Sequence, residues 1–78
     1  MGEFDKRKFA DLPTIRELRN EARLSAFDVA VMTGVKNDHT VYNWEKKGTL
    51  PSVEQAFRIA ALFNRRVDEI NWWPALTS

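Results

Sequence analysis

Prolines at 13, 51 and 74 and glycines at 34 and 48 cut this chain into short pieces. Proline lacks a backbone donor and cannot continue a helix, and glycine reaches left-handed angles cheaply, so these residues mark helix limits. Between the marks, apolar residues recur at spacings of three and four. No segment alternates with period two over a useful length. Short helices joined by tight turns satisfy that pattern. Each is marginal alone and must gain stability by packing on the others, which predicts a compact all-α fold of five helices.

Local signals place the helices. Thr14 stands three residues before Glu17, a capping box, with Ile15, Leu18 and Ala22 on one face, so a first helix is predicted at about 15–23. Ser25 is an N-cap for a second at about 26–33, with Asp28 in its first turn and Gly34 closing it. Asn37 or Asp38 caps a third that runs to Lys46 or Lys47 and stops at Gly48. Ser52 and Gln55 form another capping box, opening a fourth at about 53–63 whose inward face is read as Val53, Ala56, Phe57, Ala60 and Phe63. Asn64 is its C-cap, and "RVDEINWW" reads as a short fifth helix. The expected organisation is a flexible arm at 1–12, a helical domain at 13–72 and a tail at 73–78. "MGEF" at the front reads as a cloning remnant and carries no weight.

Composition narrows the function. Seventy-eight residues support one small core, and 44% hydrophobic content suits a globular chain. There is no cysteine, hence no thiolate metal site or disulfide framework. With a single histidine, a metal site is not expected. No apolar run approaches the roughly 20 residues of a membrane span. No glycine-rich phosphate loop and no nucleophile paired with a base is present, so neither an enzyme nor a cofactor is expected. The net charge of +1 requires any nucleic-acid surface to gather its basic groups locally. The expected setting is the cytoplasm.

The second and third helices, joined by a glycine-containing turn, have the spacing of a helix-turn-helix. Here the sequence resembles the Cro and phage-repressor type of helix-turn-helix domain (the lambda repressor-like, or XRE, family). The resemblance is carried by "IRELRNEARLS" at 15–25, "GV" at 34–35, "TVYNWE" at 40–45 and "LPSVEQAFRIAALFNRRVDEI" at 50–70. It covers nearly the whole chain apart from the ends. It implies a five-helix lambda repressor-like fold and sequence-specific binding of double-stranded DNA, usually as a homodimer on a two-fold operator. It also implies that the third helix reads bases, with Val41 buried, Asn37 as cap, and Asp38, His39, Tyr42 and Asn43 at the reading positions. Three departures stand out. The segment between Val35 and Val41 is one residue longer than the common pattern. Gly48 comes one place late. Ala26 replaces the glutamine that often holds a phosphate.

Asn43 could pair with adenine, Asp38 could accept from a cytosine amino group, and the Tyr42 ring could meet a thymine methyl. Asp38 is equally readable as an ordinary N-cap, whereas groove contact is the preferred reading of His39 over a plain exposed histidine. Lys36, Asn37, Thr40, Lys46 and Lys47 are the candidate phosphate contacts, although lysines flanking a helix also serve solubility. "DKRK" at 5–8 is either a basic arm or a frayed terminus. Trp44 follows Val41 by three and belongs in the core.

Phe27, Val31 and Met32 stand where the resembled family usually carries polar residues. Phe27 and Val31, with Trp72 and Trp73, form a possible dimer or partner surface. Alternatively, Phe4 and Phe9 fold back over Phe27. The reading is a DNA-binding transcriptional regulator, a repressor of a phage or mobile element associated with the bacterial nucleoid. The alternative is a protein-interaction module, an antirepressor or co-regulator, using the second helix and the Trp pair. "TVYNWEKKGTLP" also resembles the excisionase-type winged proteins, but the sequence after Pro51 reads as helical and offers no wing.

Overall fold

The computed structural model describes residues 5–77. Each capping box predicted from sequence forms. The Thr14 hydroxyl accepts from the Glu17 amide at 3.2 Å while the Glu17 carboxylate accepts from the Thr14 amide at 3.0 Å, opening α1 (Ile15–Glu21). Ser25 and Asp28 repeat the device at α2 (Ala26–Thr33), and the two hydrogen bonds hold the Asp28 carboxyl below its ordinary pKa. Asn37 caps α3 (Asp38–Tyr42), its side-chain oxygen accepting from the Thr40 amide at 3.3 Å. That helix continues without a break into a π-turn at Asn43–Lys47, ended by Gly48 in the left-handed region. Ser52 and Gln55 cap α4 (Val53–Leu62) reciprocally, and α5 (Pro74–Thr77) is the last element among the described residues.

The core lies among these helices: Ile15 and Leu18 of α1, Ala26, Val29 and Ala30 of α2, Val41 and Trp44 from the third helix, Ile59 and Ala60 of α4, then Ile70 and Trp72. Ala22, placed inward by periodicity, is instead the exposed C-cap of α1. The larger correction concerns α4. Val53 and Phe57, predicted to face inward, are 76% and 62% exposed, while Ile59 is fully buried. Ile59 lies two residues past Phe57, about 200° round the helix, so burying Ile59 turns Phe57 out.

The C-terminal segment also departs from expectation. "RVDEINWW" is not a helix. It makes a 3₁₀ turn at Val67–Glu69, then extends at Ile70 and pairs Asn71 with Thr14 in an isolated parallel bridge. The Asn71 amide donates to the Pro13 carbonyl at 2.8 Å. Pro74 disfavours a helical conformation at Trp73, and α5 begins only at that proline. Trp72 is therefore buried, its indole donating to the Val67 carbonyl at 2.8 Å. It is not a partner surface.

Residues 5–12, expected as a flexible arm, make a 3₁₀ turn at Lys6–Phe9 capped by Asp5. Phe9 packs edge-on against Trp73 with ring centres 5.0 Å apart, and the Lys6 ammonium lies 5.8 Å from the same tryptophan. Phe9 thus covers Trp73 and leaves Phe27 61% exposed. Phe4 and the rest of "MGEF" lie outside the described residues.

Gly34 ends α2 at φ 78, and an added Cβ would stand 2.8 Å from Arg58 Nη1. Gly48 has φ 73 and nothing nearer than Ala75 at 3.9 Å. Both Gly34→Ala and Gly48→Ala should destabilise by about 1–2 kcal/mol through the left-handed backbone alone. Gly34→Ala should cost slightly more, because Arg58 must move from its 3.0 Å ion pair with Glu54. Urea midpoints of the two variants check this; no loss at either would contradict it.

Candidate nucleic-acid interface

The third helix is presented outward because its inward side is fully committed. Val41 is completely buried and Trp44, three residues on, nearly so. Glu45 adds a second anchor that sequence reading missed. Its carboxylate receives two hydrogen bonds from Arg19 of α1, Nε at 2.9 Å and Nη2 at 3.1 Å. The same guanidinium donates through Nη1 to the Leu24 carbonyl in the α1–α2 connection at 3.2 Å. The Glu45 side chain is 1% exposed and that of Arg19 13%, so the pair is screened little by solvent. The hydrogen bonds to Glu45 push the Arg19 pKa above its ordinary value, against the opposing effect of burial. The partners are 26 positions apart, too far for any local pattern to link them.

With Val41, Trp44 and Glu45 turned in, the other side of the helix is left for solvent. His39, Tyr42, Asn43, Lys46 and Lys47 line one shallow hollow of about 390 Å³ there. The Lys46 ammonium lies 5.6 Å from the centre of the Tyr42 ring. Asn37, Lys36 and His39 are exposed, whereas Asp38 and Thr40 are half-buried. Asn37 holds the cap with its oxygen, so Asp38 is not the N-cap, and the Asn37 amide nitrogen stays a potential donor. Among the sequence-predicted residues, the structure brings His39, Tyr42, Asn43, Lys46 and Lys47 onto one face. It sets Lys36 and Asn37 in the preceding turn.

Ala26 is buried in the core, so the first position of α2 contributes packing and offers no side chain to a phosphate. Phe27, Val31 and Met32 are exposed on α2, and Trp73 is half-buried under Phe9. Among the described residues, no group of three His, Asp or Glu side chains could hold a metal ion. Among them also, no helix is long and apolar enough to cross a membrane.

A helix-turn-helix family profile matches residues 15–70, well over half of the chain. The protein belongs to the helix-turn-helix family of the lambda repressor-like type. This is a family of DNA-binding regulators of transcription, and its domains are typically without catalytic activity. Searches of the curated proteins and of the solved structures gave no match.

Arg19→Met should leave the Glu45 carboxylate buried and unpaired, costing about 3–5 kcal/mol of stability. Replacing both partners by apolar residues, as in Arg19→Met with Glu45→Leu, should recover a large part of that loss. Denaturant unfolding of the two single variants and the double variant measures it. Equal losses in single and double variants would contradict the pairing as described.

Proposed function

We propose that the protein is a sequence-specific DNA-binding transcriptional regulator, a Cro or repressor protein of a phage or mobile element acting on cytoplasmic nucleoid DNA, in which α3 and its π-turn read the major groove. The observation that carries the reading is the single outward face made by His39, Tyr42, Asn43, Lys46 and Lys47 on a helix anchored behind by Val41, Trp44 and Glu45. A helix fits the major groove, where each base pair offers a distinct donor and acceptor pattern. Asn43 is the adenine reader in this reading, with His39 and Tyr42 beside it and Asp38 at the start of the helix. Lys36, the Asn37 amide, Thr40 and Lys47 hold phosphates.

The protein acts as a homodimer on a two-fold operator, joined through the outer side of α4. Leu50, Val53 and Phe57 are exposed there beside a hollow lined by Ala60, Val67 and Arg66. The charges nearby come in both signs, Glu54 with Arg58 and Arg66 with Asp68, which suits contact with a second copy of the same surface. The burial of Trp72 moves this role away from the Trp pair.

A second reading, a module that binds a regulatory protein, is favoured by the exposed apolar stripe of Phe27, Val31 and Met32 on α2. Salt titration of binding to random and selected duplexes separates the two. The DNA reading expects affinity to fall steeply with salt and a selected site to bind roughly a thousandfold tighter than random sequence. A flat response with no selectable site would leave only the second reading. Asn43→Ala should cost about 1–3 kcal/mol on the selected site and relax preference at one base pair. A symmetric selected consensus would support the dimer, and Phe57→Ser should then weaken operator binding while leaving the fold as stable as before.

A further inference from the structure

The lysine at position 46 has a sharper role than its place at the helix end suggests. On an α-helix, a residue five places on stands about 140° past a full turn, which would carry Lys47 well away from Tyr42. The turn at Asn43–Lys47 is a π-turn, which closes over five residues rather than four. Lys46 and Lys47 therefore both come round to the side of Tyr42 and line the same hollow with His39 and Asn43. The widened turn also accounts for the late position of Gly48, since it absorbs one surplus residue without moving Trp44 or Glu45 from their anchors.

The two lysines are not equivalent there. The Lys46 ammonium lies over the Tyr42 ring, 5.6 Å from its centre, and both side chains line the outward hollow. A phosphate anchor does not require such a platform, because a point charge on a flexible stem finds a phosphate from many positions. A base reader gains position. We propose that Lys46 is a specificity-determining residue that reads a guanine in the major groove, with the Tyr42 ring as its positioning support, while Lys47 keeps the phosphate role. This rests on α3 being the groove-reading helix. An ammonium is a donor only, and guanine presents two acceptors, O6 and N7, where adenine and cytosine expose amino donors. Lys46 lies three residues beyond Asn43 along the same outward face, so its guanine is a base pair close to, and distinct from, the one read by Asn43.

The experiment measures binding to the selected operator and to operators carrying each of the other base pairs in turn. Lys46→Ala should lose about tenfold on the operator with its G·C pair and little where that pair is replaced, abolishing preference at that position alone. Lys46→Arg should keep the guanine preference, as should Tyr42→Phe. Tyr42→Leu, which removes the ring, should weaken that preference in the same direction as Lys46→Ala. Lys47→Ala should weaken every duplex by one common factor and flatten the salt dependence by about one charge. A uniform loss for Lys46→Ala, with base preference intact and the salt slope reduced, would overturn the inference while leaving the DNA reading in place. A wild-type protein that selects no sequence would overturn both.

Discussion

The bidentate contact between Arg19 and Glu45 is the constraint that the outward face of the third helix depends on. It ties α1, the α1–α2 connection and the far end of the third helix through one planar guanidinium, with all three of its nitrogens donating. A buried ion pair is weak evidence for net stability, because the desolvation of two charges offsets much of their attraction. Its contribution here is geometric. A carboxylate buried beside Trp44 tolerates few orientations, so the rotation of the helix about its own axis is fixed. The rotation decides which side chains stand outside.

The π-turn follows from the same anchoring. The third helix is held by Val41, Trp44 and Glu45 on one side, and α5 approaches Gly48 from another, with Ala75 3.9 Å from where a Cβ would stand. The segment between those fixed points, one residue longer than the resembled pattern, is accommodated within the last turn of the helix. Closing the turn over five residues does so at little cost to the core. The effect is to bring Lys46 and Lys47 together with Tyr42 on the outward face.

Local chemistry was legible in the sequence where a few neighbouring residues decide it. Thr14 with Glu17, Ser25 with Asp28 and Ser52 with Gln55 announce three helix starts, and Gly34, Gly48 and Asn64 take the left-handed angles that end helices. The inward position of Val41 and Trp44 was equally readable from spacing. The orientation of α4 was not, because Val53, Ala56, Phe57, Ile59, Ala60, Leu62 and Phe63 put apolar side chains nearly all round it. Periodicity then has no single answer, and packing on α2 chooses. "RVDEINWW" misled in a different way: Val67 and Ile70 have helical spacing, but the bridge to Thr14 and the proline at 74 impose extension. The candidate readers came from the family pattern, and their convergence with both lysines depends on a π-turn that no local signal predicts.

The three tryptophans give this molecule an uneven optical signature. Trp44 is enclosed behind the outward face of the third helix, Trp72 is enclosed beside Val67, and Trp73 lies beneath Phe9 and Lys6. None belongs to the hollow that faces outward, whose aromatic member is a tyrosine. Intrinsic fluorescence will therefore report loss of the core and release of the N-terminal turn with high contrast. It will respond weakly to a ligand docking on α3, so the emission of this protein distinguishes folded from unfolded far better than bound from free.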